Sequence, residues 1–221
     1  MELKTADGTV VPGYLAEPAR VRGVLVLVHE WWGLNGQTRG VADRYARQGF
    51  ATFAVDLYGG VAAPMGQKEQ AGALMAGLDW GKALGTLKAA TEALKARYPL
   101  HTVGITGFCM GGALALFAAA KLPGTFSAVV PFYGIPDGAK VDLSQVKAPV
   151  LGHFANTDGW CTPELVSDLE KTLQGKGTPV SFHRYDAQHA FANEQRPDVY
   201  SPDDAEAAFA RTFEFLKAEL R

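Results

Sequence analysis

Two cysteines, Cys109 and Cys161, are the only thiols in a chain of 221 residues. That is too few for the disulfide framework that braces small secreted folds, so a reducing, cytoplasmic setting is expected. The opening residues Met1-Glu2-Leu3-Lys4 lack the basic and apolar regions of a secretory leader. No apolar run approaches the roughly 18 residues a membrane helix needs. Nor is there an excess of charge of one sign: 21 Lys and Arg stand against 23 Asp and Glu, for a net charge of −2. A nucleic-acid binder would show a basic footprint, and this chain does not. The expected partner is therefore a small molecule, with no nucleic acid and no membrane, for a monomer or small homo-oligomer.

What the chain has in quantity is apolar residues, at 48% of the total, which is ample for one large core. Its length fits a single α/β domain spanning residues 1–221. Residues 1–17 alternate apolar and polar around Asp7-Gly8, which predicts an antiparallel hairpin. Gly23–His29 (GVLVLVH) is a continuous apolar run, as in a strand covered by helices on both faces. Strands are also predicted over Phe50–Val55, Val103–Thr106, Phe126–Tyr133, Pro149–Ala155 and Pro179–Tyr185. Between them lie helical stretches: Gln37–Gln48 with Gly49 as its stop, and two helices within Gln67–Tyr98 that break near Leu78-Asp79-Trp80. Three more follow, over Cys109–Lys121, from Thr162-Pro163, and from Ser201-Pro202 to about Leu220. Asp186–Pro202 reads as a long loop. This alternation implies a mainly parallel central sheet with helices on both faces, an α/β fold.

The stretch carrying most chemistry is Val103–Gly112, VGITGFCMGG. A β-branched strand runs into Gly107-Phe108-Cys109-Met110-Gly111 and then an Ala/Leu-rich helix. This is the nucleophile-elbow pattern with a thiol where a serine is usual. The tip residue is held in strained backbone geometry, and the flanking glycines avoid collisions with neighbouring chain. The helix beginning at Cys109 turns its free N–H groups and positive dipole end toward the sulfur, which favours the thiolate. Taken alone, a cysteine in an apolar segment is more often a small buried hydrophobe, so the pattern needs partners.

Such an elbow needs a base, an acid that orients the base, and an oxyanion hole, in the chain order nucleophile, acid, histidine. His153 and His183 fall inside predicted strands. His189 lies beyond the last one, where the base belongs, and Asp158 follows the strand ending at Ala155, where the acid belongs. Asp158 is equally readable as a turn residue of Asn-Thr-Asp-Gly. Asp186, close to His189, is the competing acid and is read as anchoring its own loop. The oxyanion donors would be the backbone N–H groups of Met110 and Trp31. Glu30, beside Trp31 and Trp32, is one carboxylate more than a simple triad needs. If buried near the thiol, its pKa would rise and it could exchange a proton with the sulfur.

Four motifs then coincide: His29-Glu30-Trp31-Trp32-Gly33-Leu34-Asn35, Gly107-Phe108-Cys109-Met110-Gly111-Gly112, His153-Phe154 through Asp158, and His189-Ala190-Phe191. Together they resemble the dienelactone hydrolase (carboxymethylenebutenolidase) family of α/β-hydrolases over essentially the whole chain. The resemblance implies hydrolysis of an ester or enol lactone through an acyl-thioester on Cys109, with no metal or organic cofactor. His189 would be the base, Asp158 the acid, and Glu30 the carboxylate that holds the resting thiol and takes its proton. It also implies two arginines for a substrate carboxylate. One falls at Asn193 here, and the other within Tyr58–Gln70, where Lys68 is the only Lys or Arg. Lys68 and Arg196 are the remaining cationic candidates, while Trp31, Trp32 and Trp160 suggest an apolar or aromatic group. The pocket candidates are thus Trp32, Trp160, Phe191, Lys68 and Arg196. A broad carboxylesterase or thioesterase shares the same triad, and a thiol sensor without turnover on the same fold is the rival from another class.

Overall fold

The computed structural model describes residues 2–5, 8–175 and 177–221. Asp7, half of the expected first turn, lies outside the described residues. On either side of it β1 (Glu2–Lys4) and β2 (Val10–Ala16) pair antiparallel, with Leu3 opposite Val11.

Among the described residues eight strands form one sheet, in the order β1-β2-β4-β3-β5-β6-β7-β8. From β3 (Gly23–Val28) and β4 (Phe50–Val55) through β5 (Val103–Phe108), β6 (Val129–Phe132), β7 (Val150–Thr157) and β8 (Val180–Gln188), neighbours run parallel. The pairs β1–β2 and β2–β4 are antiparallel. The helices are α1 (Gly36–Arg47), α2 (Lys68–Ala76), α3 (Trp80–Arg97), α4 (Met110–Lys121), α5 (Pro163–Gln174) and α6 (Pro202–Glu219). The fold class is that expected: a mostly parallel sheet layered between helices.

The continuous apolar character of β3 has its expected cause. Val24, Val26 and Val28 enter one core layer with Phe53, Leu94 and Leu114, while Leu25 and Leu27 enter the other with Tyr45, Phe209 and Leu216. All five β3 side chains are 0% exposed, and each such burial stabilises by about 1.5–3 kcal/mol relative to exposure. The helix starts are capped by short polar side chains. Asn35 Oδ1 accepts from Thr38 N at 3.1 Å, Asp79 Oδ1 accepts from Gly81 N at 2.8 Å, and Thr162 caps α5 with Pro163 at its first position. Asp79 is why the stretch from 68 to 97 divides into two helices at the expected place.

Two boundaries differ in ways that matter. The sixth strand is shorter than expected, because only Val129–Phe132 pairs with both neighbours. The last strand is longer and reaches Gln188, so the expected loop begins only after it. Asp186 is therefore an exposed strand residue rather than the anchor of a loop. His153 and His183 do lie in strands. Because parallel strands all end on one edge, the residues after β3, β5, β7 and β8 meet there. Those residues are His29-Glu30-Trp31, Cys109, Asp158 and His189. No helix among the described residues is long and apolar enough to cross a membrane.

Candidate active site

Cys109 stands between β5 and α4 with φ 55° and ψ −119°, a conformation that costs an L-residue energy. Its neighbours explain how this is held. A Cβ on Gly107 would run into the Gly111 carbonyl, and one on Gly111 would run into the carbonyls of Val28 and His29. The glycines let α4 start in direct backbone contact with β3 and β5, which leaves the thiol at the strand edge. Among the described residues only two other non-glycine residues have positive φ: Tyr133 at 36° and Ala190 at 67°. One follows β6, and the other follows His189. Backbone strain is thus concentrated around this one edge.

His189 bridges the edge. Its Nε2 lies 3.1 Å from Cys109 Sγ and its Nδ1 lies 2.7 Å from Asp158 Oδ2. The other Asp158 oxygen accepts from the backbone N–H groups of Trp160 at 2.7 Å and Cys161 at 3.1 Å. One Asp158 oxygen thus builds the turn, and the other faces the imidazole. Burial opposes ionisation of Asp158, but the His189 and backbone hydrogen bonds outweigh it and lower its pKa. For His189, burial disfavours the imidazolium, while hydrogen bonds to Asp158 and Cys109 favour it. The balance raises its pKa to about 10. Cys161, 4% exposed, is pushed up chiefly by burial and further by the charge of Asp158, so it stays a thiol.

Glu30 is 3% exposed and directly precedes Trp31. Its Oε1 accepts from the Tyr133 hydroxyl at 3.1 Å, and its Oε2 accepts from the Asn193 amide at 2.8 Å. Burial raises its pKa, against the pull of the Asn193 hydrogen bond and of the His189 charge. The structure thus pairs the thiol with His189, while both Glu30 oxygens are engaged behind it. Neither Tyr133 nor Asn193 was singled out as a partner for Glu30 by sequence reasoning. Tyr133 carried one signal, a polar-tipped aromatic at the C-terminal end of a strand. Asn193 carried only its spacing from His189.

Two cavities share Cys109, His189, Met75 and Trp160. One, of about 460 Å³, includes Trp31, Lys68 and Arg196 in its wall; the other, of about 270 Å³, is lined mainly by apolar side chains. Wider clefts of about 700 and 810 Å³, the first between Val11 and Thr86 and the second between Pro18 and Arg47, do not have the thiol in their walls. Of the expected pocket residues, Trp160, Lys68 and Arg196 line a cavity beside the thiol. Trp32 and Phe191 do not. Trp32 is 1% exposed and packs with Ala63 and Ala71, and Phe191 is 0% exposed and packs against Tyr133 and Tyr185. These large apolar rings are core residues because covering them completely gains more than leaving one face open to a substrate. Among the described residues no group of three or more His, Cys, Asp or Glu side chains is placed to hold a metal ion.

Residues 11–220 match the model of the dienelactone hydrolase family. The chain belongs to that family. It is a carboxylic ester hydrolase, and its relatives agree over nearly their whole lengths. It is 36% identical to the protein usf of Aquifex pyrophilus, covering 97% of this chain and 96% of that one. It is 32% identical to the carboxymethylenebutenolidase of Pseudomonas sp. strain P51, covering 92% of this chain and 88% of that one. The crystal structure of a dienelactone hydrolase from Anabaena variabilis superimposes with a TM-score of 0.73 at 26% identity, covering 100% and 97% of the two chains.

Within this family member, the position where the resemblance implied an arginine holds Asn193. It is 0% exposed and turned inward to Glu30. Arg196 has its Nε and Nη2 engaged by Asp198 at 2.9 and 2.6 Å. Lys68 stands at the start of α2.

Proposed function

We propose that this single-domain hydrolase cleaves a carboxylic ester or enol-lactone bond through an acyl-thioester on Cys109, with His189 as base and Asp158 as the acid that orients it. The observation carrying this reading is the hydrogen-bonded line from Sγ through the imidazole to the carboxylate, at 3.1 and 2.7 Å. A nucleophile within reach of a base, and a base fixed by a third group, are what covalent acyl transfer requires.

The steps follow from the placement. His189 Nε2 holds the thiol proton as sulfur attacks the substrate carbonyl. The negative charge that develops on the carbonyl oxygen is met by backbone N–H groups. Met110 offers one, since the first residue of α4 has no intrahelical acceptor for its N–H. Trp31, which follows β3, would offer the second. Collapse of the tetrahedral intermediate breaks the C–O bond, and the leaving oxygen takes the proton from His189. Water then loses a proton to His189 and adds to the thioester, and the acid departs as Sγ is released. Asp158, low in pKa, remains ionised throughout and stabilises the imidazolium. Glu30, raised in pKa by burial and within electrostatic reach of His189, supplies a second site where a proton can rest.

The test is mass spectrometry of enzyme quenched during turnover of an activated aryl ester. A species heavier by one acyl group, absent in Cys109→Ala, is expected. Steady-state turnover distinguishes a hydrolase from a sensor, which would be modified once and stop. Full turnover in Cys109→Ala would overturn the reading.

A further inference from the structure

The two cavities beside the thiol differ in chemistry. The larger carries the cations Lys68 and Arg196, and of these the Arg196 fork is filled by Asp198. The smaller cavity is walled by Met75, Trp80, Ala113, Ile135, Pro136 and Cys161 around the shared Cys109 and His189. Its one carboxylate is exposed Asp137, which would repel an anion. Trp80 is fixed edge-on against Phe117, with ring centroids 5.1 Å apart, so this wall is braced by the core.

Size adds a second constraint. An apolar cavity of about 150 Å³ accepts benzene, and this one is about 270 Å³. It has room for a ring or a short chain, and not for a long-chain lipid group.

Orientation comes from the elements that contribute. Met110 and Ala113, in the first turn of α4, line the smaller cavity. The group that stays bonded to Sγ is therefore seated there, beside the head of the helix. Gln188, Arg196 and Val199, around and after His189, line the larger cavity. That is where an alcohol taking its proton from His189 would leave.

We propose that the smaller cavity is the acyl subsite, and that the substrates are esters of neutral, apolar carboxylic acids with a short alkyl chain or a single aromatic ring. The proposal rests on Cys109 carrying the acyl group. Filling an apolar subsite raises kcat/KM by about fourfold per methylene until the space is used.

The experiment is a kcat/KM series on 4-nitrophenyl acetate, propionate, butyrate, valerate, hexanoate and benzoate, with the 4-nitrophenyl half-ester of glutaric acid beside valerate. A rise of about fourfold per methylene from acetate to butyrate is expected, with the anionic glutarate at least tenfold below valerate. Ala113→Leu, which fills the cavity, should cut the butyrate-to-acetate ratio at least tenfold. Ile135→Ala, which enlarges it, should shift the optimum to a longer acyl chain. Opposite shifts in two variants separate the subsite from a general loss of folding. A flat series in which neither variant moves the ratio, or a preference for glutarate, would overturn the subsite while leaving the hydrolytic reading intact. Failure to turn over any ester would sink both.

Discussion

The Asn193 side-chain amide donates to Glu30 Oε2 at 2.8 Å, and the asparagine is completely buried. A neutral donor thus holds a carboxylate at the position where the family resemblance implied an arginine. An arginine would supply a full charge to the buried carboxylate and keep its pKa low. An amide supplies only a dipole, which is consistent with Glu30 titrating above its ordinary range.

That pairing sets the first prediction. Asn193→Ala leaves a buried carboxylate oxygen without its donor and should destabilise by about 1–3 kcal/mol in urea unfolding at pH 7.5. The loss should depend on pH in a defined direction. Glu30 is raised above 4.5 in the folded state, so the stability it contributes is full below 4.5 and declines as pH rises through its folded value. Removing the donor raises that value further, so the variant's deficit should be smaller at pH 4.5 than at pH 7.5. A deficit independent of pH would mean that the amide acts only by packing.

Glu30→Gln addresses the proton. If the second carboxylate takes part in delivering thiolate, the acylation rate in stopped flow should fall several-fold, with substrate affinity changed less. An unchanged acylation rate would remove Glu30 from the chemistry and leave it as a structural anchor for Tyr133 and Asn193.

Asp158→Asn keeps the turn acceptor for Trp160 and Cys161 but presents an amide to His189 Nδ1. The imidazole would then be held in the wrong tautomer. In serine triads that error lowers kcat by about 10⁴, and a loss on the order of 10³–10⁴ is expected here in single-turnover acylation. A loss below about tenfold would argue that the thiol needs little help from an oriented base.

His153 offers a stability test away from the site. Arg211 donates to the Tyr185 hydroxyl at 3.1 Å, and Thr212 donates to the Ala208 carbonyl at 2.9 Å. Those directions make Tyr185 the donor to His153 Nδ1 at 2.8 Å, and Nε2–H the donor to Thr212 at 2.9 Å. The ring is therefore neutral, and burial first, then the nearby His183 and Arg211 charges, holds its pKa well below 6.5. A histidine depressed in this way contributes stability that is present above its unfolded pKa of 6.5 and is lost as pH falls below it. His153→Gln should therefore show a smaller drop in Tm between pH 7.5 and 5.5 than the parent protein. An equal drop in both would assign the acid sensitivity to other groups.

The fold was legible from the chain because its signals are local. Gly23–His29 reads as a doubly covered strand from its unbroken β-branched and leucine run, and Asp79 and Thr162-Pro163 mark helix starts through bonds to their own next turn. Boundaries were less legible where pairing decides them. The strand at 129–132 ends opposite Phe108, the last residue of β5, although β7 runs on past it, and the one at 180–188 continues because β7 runs alongside it through a bulge. Neither fact is written in the residues of the strand itself.

For the site, the sequence by itself determined which groups meet. Cys109, Asp158 and His189 each follow a strand of a parallel sheet, so the topology alone brings them to one edge, and the glycines around Cys109 fix the turn that exposes its sulfur. The tertiary structure decided what surrounds them. That Trp32 and Phe191 are core while Trp160 is 63% exposed, that Tyr133 and Asn193 grip Glu30, and that an apolar and a cationic cavity both open on the thiol depend on contacts between residues far apart in the chain. Such contacts are set by how whole layers pack, and no local pattern of residues encodes them.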